Sequence, residues 1–468
     1  MSIRQPVRTL RPSDFEALPE QSGAPVLVRP SRSYWQDAWA RLKANRRALI
    51  SLYIIIALML FAGVGPWLWP VDPARQDVDQ ISVGPGADRR AVVVEPWQPW
   101  DGRSVDADFV AQQAATDGLQ LAFPPITQGV RLLWPPIPGA TSYRLYRNHF
   151  TPVDASALGI PIADFGPGAA LSYEDRLDLQ PRRYFYSITG FDQNGERLDD
   201  YLTLAVDVER VITVAEVLSK QLPVDTGSLQ TGDEVFLTFH PLGTDYLGRD
   251  MLARLMAGAQ VSLFIGLLAP LMFVSFGVLY GATAGFIGGR TDQVMMRIAD
   301  FVVALPFLLF MILFQVVFGI GPGESGIIPM MVALVLLSWP ATARLVRGQI
   351  LQIREEAYVS AARLLGGSHL YLIFRHMIPN TLGVILVTLT FAVPTAIFTE
   401  AFLSFIGMGV APPTASWGSM SNEALKTMLT HPHELFFPAL MISITVLAFN
   451  LLGDGLRDAL DARMRGRD

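Results

Sequence analysis

Three lysines, six histidines and no cysteine limit the chemistry open to this 468-residue chain. A phosphate-cradling loop needs glycine immediately before its lysine, so that backbone amides can close on the phosphate. Lys43, Lys220 and Lys426 instead follow Leu42, Ser219 and Leu425, so there is no Walker-type nucleotide loop. Without cysteine there are no disulfides, thiolate metal sites or thiol nucleophiles. His431 and His433 flank a proline and precede Glu434, a weak spacing for a metal. No triad or facing acid–base pair is assembled, and the chain reads as non-catalytic. A few ionisable residues border apolar stretches. Asp245, Arg249 and Asp250 shape the outer mouth of a pore, or latch a partner outside, or form a local cap. In the last case Thr244 or Asp245 starts a helix and Arg249 pairs with a carboxylate. Asp300 is expected to pair with a basic neighbour such as Arg297. Glu400 closes another stretch, either facing a pore or solvated at an interface. Pro306, Pro340 and Pro394 are candidate bends.

The elements that position these residues are membrane helices. A span needs about 20 mostly apolar residues. Uncharged stretches of that kind lie at 48–71, 255–289, 301–323, 325–343, 376–399 and 435–453. The second is too long for one span, which implies a helix near 260–283 preceded by an interfacial segment. The stretch 401–422 is uncharged but too rich in Gly, Pro and Ser to cross. Six transmembrane helices result, and mean hydropathy is +0.35. The helix interiors lack charge and show no internal repeat, which argues against a secondary transporter. About 47 residues precede the first helix and no small-residue cleavage site comes after it, so it reads as an anchor and not a cleaved signal.

Arginines and lysines set the orientation. They cluster before the first helix, between helices two and three, between four and five, and after the sixth. Both termini are then cytoplasmic. Residues 71–240, with 24 acidic and 13 basic side chains, lie outside. The acidic insert argues against nucleic-acid binding. The expected divisions are a cytoplasmic segment (1–47), the first span (48–70), an irregular linker with a strand near "RRAVVVEP" (71–119), a β-rich region (120–208), a connection (209–259), a core with the other five spans (260–454) and a cytoplasmic tail (455–468).

Within the core, residues 350–378 form a cytosolic knob. Glu355 and Glu356 start a short helix that stops at Gly366–Gly367. A second short helix comes next, with Leu370, Ile373, Phe374 and Met377 on one stripe and Pro379 opening the next span. The stripe either packs on its own bundle or enters a groove on a partner.

This knob resembles the coupling loop of ABC-importer permeases, whose motif runs Glu-Ala-Ala, three residues, Gly, nine residues, Ile-x-Leu-Pro. Ser360, Ala361, Ala362, Gly366, Ile378 and Pro379 occupy those places, with Ser360 replacing the glutamate and His376 where the first Ile is expected. "HPLGTDYLGRDMLARLMAGAQVSL", "RIADFVVALP", "WPATARLVRGQIL", "EAFLSFIGMGVAPPTASWG" and "LAFNLLGDGLRDALDAR" resemble the C-type permease of dipeptide, oligopeptide and nickel importers over about 35–70 and 240–465. The resemblance implies an all-α polytopic membrane protein of type I importer fold in a bacterial inner membrane. It implies half of a pore, with a B-type permease, two ATP-binding subunits (identical, or one of each of two kinds) and an extracytoplasmic solute-binding protein as partners. ATP and Mg would be held in the ATPase subunits, with no cofactor in this chain. The cargo would be di- or oligopeptides, or else nickel or another small solute.

The insert resembles a fibronectin type III domain, a seven-stranded sandwich. Trp134, Pro135, Gly139, Ala140, Tyr143 and Tyr146 match its early strands. Tyr173, Asp175, Leu179, Pro181, Tyr184 and Tyr186 match the later corner. It is expected to dock the binding protein or partner permease. A reading of another class makes the chain a membrane-anchored adhesion module.

Overall fold

In the computed structural model, residues 34–113, 118–222, 224, 229–318 and 325–460 are described. Residues 1–33 and 461–468, most of the two terminal segments, and 319–323 of the expected third span lie outside them. The described residues open with helices α1 (Tyr34–Ala44), α2 (Arg46–Gly63) and α3 (Gly65–Leu68). The insert comes next: β1 (Arg90–Val94), α4 (Ala107–Gln112), β2 (Gln120–Leu121), β3 (Val130–Leu133), β4 (Ser142–Asn148), β5 (Pro161–Phe165), β6 (Ser172–Asp175), β7 (Arg183–Phe191), β8 (Arg197–Asp207), β9 (Val211–Thr213), α5 (Val214–Lys220) and β10 (Glu234–Phe236). Helices then follow among the described residues: α6 (Met251–Ile287), α7 (Gly289–Ala304), α8 (Phe307–Phe318), α9 (Ile327–Ile353), α10 (Ala357–Leu364), α11 (His369–Leu372), α12 (Ile378–Phe405), α13 (Trp417–Glu423) and α14 (His433–Leu460). Contacts divide it into a helical unit (1–82 with 244–468) and the insert (83–243).

Among the described residues of the helical unit, five helices are long and apolar enough to cross a membrane: α2, α6, α9, the run His369–Phe405, and α14. The expected third span is broken. α7 and α8 meet at an 80° bend, with Leu305 extended (φ −71°, ψ 126°). Pro306 causes this: it donates no amide and pushes the residue before it out of the helical region. α7 and α8 together make at most one bent span.

The stretch expected to hold the second span and the segment before it lies in one continuous helix: α6 has 37 residues, about 56 Å at 1.5 Å per residue. Asp250 starts it, accepting from the Ala253 amide at 2.7 Å. On one face, Gly277 and Gly285 let α9 come close: a Cβ added there would meet the Trp339 and Arg347 carbonyls at 2.8 and 2.9 Å. Gly281 between them faces the Ala343 carbonyl. Small residues at every fourth position are how helices approach closely in lipid. The adjoining core holds Phe273, Val278, Phe286, Trp339, Val346 and Ile350.

In the insert, seven strands over 120–207 form two antiparallel sheets, β2-β3-β6 and β5-β4-β7-β8. Tyr184, Tyr186 and Ile188 share one core, as the period-two pattern requires, and Ser187 and Thr189 on the other face of the strand are buried as well. Trp134, Leu132 and Leu145 complete that core. The Tyr184 hydroxyl accepts from the Gln180 amide at 2.9 Å, the tyrosine-corner arrangement of sandwich domains. The strand expected within the linker near "RRAVVVEP" is β1. β1 pairs parallel with β9 and antiparallel with β10, over a core of Val93, Ile212, Val217 and Val235. Residues up to Ser82 join the helical unit instead, where the Ser82 amide donates to the Asp245 carbonyl at 2.9 Å.

Candidate functional site

The knob begins where α9 ends. The Arg354 guanidinium donates to the Gly285 carbonyl at 3.2 Å and pairs with Glu355 at 3.0 Å. Glu356 is extended (φ −68°, ψ 145°) and starts α10. Gly366 ends the helical turn with φ +85°, a left-handed conformation natural to glycine alone. Its amide donates to the Arg363 carbonyl at 3.0 Å, and the Gly367 amide to the Ala362 carbonyl at 3.1 Å. The glycine stop expected at Gly366–Gly367 is therefore where the backbone turns.

Past this stop there is no separate short helix. Ser368 caps α11 through the Tyr371 amide at 3.3 Å. A π-helical turn, Ile373–Met377, then joins α11 to α12. That wider turn adds a residue to the repeat and splits the expected stripe. Ile373 and Met377 are buried together with Leu372, while Leu370 and Phe374 are 68% and 56% exposed. Val359 and Leu372 pack into the α6–α9 core. Asn380 donates to the Tyr358 hydroxyl at 3.1 Å and fastens α10 to α12. The outer side carries Leu364 and Leu365, 90% and 89% exposed. Glu355, Glu356, Ser360, Ala361, Gly366 and Pro379 are exposed or half-buried, as are Ala362 and Ile378. One face of the knob is thus locked to its own bundle and the other is open.

Asp245, Arg249 and Asp250 are all buried, and their side chains are committed to this chain. Arg249 pairs with Asp245 at 2.7 Å and with Glu423 at 2.6 Å. Arg254 reaches the same Asp245 carboxylate and meets Glu423 at 2.9 Å. Burial opposes the charge on Arg249, but Asp245 and then Glu423 outweigh it and leave the guanidinium above its ordinary value. A latch on an outside partner does not fit side chains this deep. The helix is started by Asp250, not by Thr244 or Asp245. Sequence reasoning missed Arg254 and Glu423. Arg254 closes the gap before an uncharged stretch and was legible as a charge needing a partner; Glu423, 174 positions from Arg249, was not.

The remaining candidates are also corrected. Asp300 pairs with Arg344 at 2.7 Å on the surface, not with Arg297. Its neighbour Asp292 holds Arg347 in a two-pronged pair, both contacts 2.5 Å. Glu400 neither ends its helix nor meets solvent. It lies within α12 with no exposed surface, accepting from the Ser262 and Ser404 hydroxyls at 2.8 Å each. Beyond Phe405 the polar segment turns back without crossing, and Trp417 is buried with its indole donating to the Leu255 carbonyl at 3.1 Å. His433 Nε2 lies 3.1 Å from the Thr244 carbonyl. Among the described residues no three His, Asp or Glu side chains stand close enough together to hold a metal ion. The arrangement offers a helical bundle with an apolar knob open on one side.

Comparison of the sequence with known proteins gives its family. A family model described as binding-protein-dependent transport system inner membrane component matches residues 277–466. Another, the N-terminal TM domain of oligopeptide transport permease C, matches 33–85. The oligopeptide transport system permease protein OppC of Bacillus subtilis (strain 168) is 47% identical over 240 residues, 51% of this chain and 77% of that protein. The dipeptide transport system permease protein DppC of the same organism is 49% identical over 227 residues, covering 48% of this chain and 69% of its own length. The glutathione transport system permease protein GsiD of Escherichia coli O157:H7 is 44% identical over 227 residues, with 48% and 73% covered. A solved structure titled as inward-facing MetNI methionine ABC transporter aligns with a TM-score of 0.37 at 15% identity, covering 44% of this chain and 94% of that one; a likeness that low carries no argument. The extent and identity of the sequence matches place this chain in the family of binding-protein-dependent ABC-importer permeases, in its oligopeptide and dipeptide C-type branch.

Proposed function

We propose that this chain is one half of the pore of an ATP-driven peptide importer. The second half is a B-type permease, and two ATP-binding subunits, identical or one of each of two kinds, supply the energy. An extracytoplasmic solute-binding protein delivers the cargo. Both termini lie in the cytoplasm of a bacterial cell, and the insert lies outside the inner membrane. ATP and Mg belong to the ATPase subunits; no lysine of this chain comes after a glycine. Di- and oligopeptides are favoured over nickel because the similar permeases are named for oligopeptide, dipeptide and glutathione systems.

The observation that carries this reading is the two-sided knob. Val359 and Leu372 are fully buried in the bundle, while Leu364 and Leu365 are almost fully exposed. A docked ATPase subunit would cover that outer face. When the ATPase dimer closes, the knob moves as a rigid body, because Asn380 holds α10 to α12 through Tyr358 and Leu372 is buried in the α6–α9 core. Displacement of α10 then biases the bundle between two packings. Pro306, at the 80° bend, is placed to act as a joint in that motion.

The chain has no cysteine, so Leu365→Cys gives a single cross-linking handle. In the reconstituted complex it should cross-link to an ATPase subunit, and a labelled tripeptide should accumulate only with ATP. The adhesion-module reading requires neither, and accumulation of nickel but no peptide would reassign the cargo.

A further inference from the structure

α1 is separated from the first span by one residue, Asn45. Its extended backbone (φ −82°, ψ 98°) breaks the helix, and its side chain caps α2. The 11 residues of α1 include Asp37, Arg41 and Lys43, so α1 does not prolong the span into hydrocarbon. It is held at the end of that span instead. Leu42 is buried in a small cluster with Ala48 and Ala459, and Ala38 is buried beside it in the helical repeat. The apolar sector continues past this contact. Trp35 and Trp39, one turn apart, are 52% and 48% exposed. Lys43 Nζ stands 5.1 Å above the Trp39 ring, and Arg46 and Arg47 lie immediately after the break, with Arg46 and Arg47 not buried.

We infer that α1 is an interfacial anchor that recognises anionic phospholipid. Trp35 and Trp39 seat at headgroup level, where indole rings concentrate. Lys43, Arg46 and Arg47 face the lipid phosphates. The one-residue connection to a membrane-spanning helix puts this face beside the headgroups, which favours lipid over a protein as its occupant. Each cation near an anionic surface strengthens attraction roughly fivefold, so three together give on the order of a hundredfold.

The absence of cysteine allows a nitroxide on Trp39→Cys, and separately on Trp35→Cys, to report alone in the full chain. The chain is placed in lipid nanodiscs of phosphatidylcholine, with or without phosphatidylglycerol. Power-saturation EPR compares collision with oxygen, which favours the bilayer, and with a water-soluble nickel chelate. Labels on Leu60→Cys in α2 and Asn194→Cys in the hairpin turn supply the membrane and water references. With phosphatidylglycerol, both α1 labels should read between the two references. Combined Lys43→Gln, Arg46→Gln and Arg47→Gln should return them to the water reference, with the Leu60→Cys reading unchanged as evidence that the fold persists. A water-like reading in both lipids overturns the inference. Exclusion of oxygen and nickel alike also overturns it, since a protein would then cover the face. Equal depth in the two lipids, or depth unmoved by removing the three cations, refutes recognition of anionic headgroups.

Discussion

Glu400 accepts a hydrogen bond from the Ser262 hydroxyl at 2.8 Å, across 138 positions of sequence. It ties α12 to α6, and through Ser404, which also receives the Val410 amide at 3.0 Å, it pins the returning segment. Glu400→Gln keeps an acceptor for Ser262 and should change stability little. Glu400→Leu leaves two buried hydroxyls without their acceptor and should cost about 1–3 kcal/mol for each unmet group. Thermal unfolding of the purified complex reads the difference. Equal melting of the two variants would deny the carboxamide any role as a replacement.

The Asp245–Arg249–Arg254–Glu423 cluster predicts strong non-additivity. Removing one member strands a buried charge and should cost about 3–5 kcal/mol. Glu423→Gln combined with Arg249→Met should cost clearly less than the sum of the two single changes. Denaturation midpoints of the three variants test this, and simple additivity would show that the charges act independently.

Much of this was legible in advance, and the limits are physical. The stop at Gly366 was readable because a left-handed turn favours one residue type. The alternation of Tyr184, Tyr186 and Ile188 was readable because a strand repeats every two residues. The π-helical turn at 373–377 leaves no local signature, and it divides the expected stripe, with Ile373 and Met377 buried and Leu370 and Phe374 on the surface. The β1–β9 pairing and the Arg249–Glu423 contact join distant segments that no window of sequence compares. Glu400 was legible as an oddity but not as a bonded group, because its partner Ser262 is an ordinary residue in an apolar stretch.

Close helix approach gives a paired prediction. Gly281→Leu would drive a side chain into the Ala343 carbonyl and should destabilise by about 1–3 kcal/mol or more. Gly348→Ala, in α9 with open space around it, should be neutral or stabilising by up to about 1 kcal/mol. If both variants melt alike in detergent, the α6–α9 contact is not as tight as described.

In the insert, the Ser104 and Arg103 amides, then the Ser104 hydroxyl, hold the Asp101 carboxyl down at about 2, against an ordinary 3.8. Because the folded value is depressed, its stabilising effect is fully present above 3.8 and is lost as pH falls through about 2. Infrared carboxylate bands of the native chain minus Asp101→Asn should show a midpoint near the lower value. A midpoint near the ordinary one would mean that the 101–104 turn is not formed.

The account rests most heavily on force passing through the knob, and Gly366→Val addresses that directly. A β-branched residue is strained at φ +85°, and nothing else lies within 4 Å of the added carbon, so the change acts on the turn. The measurement is peptide taken up per ATP hydrolysed by the complete complex in proteoliposomes. The ratio should fall about tenfold or more while ATP hydrolysis continues. An unchanged ratio, with the variant assembled normally, would contradict coupling through this turn.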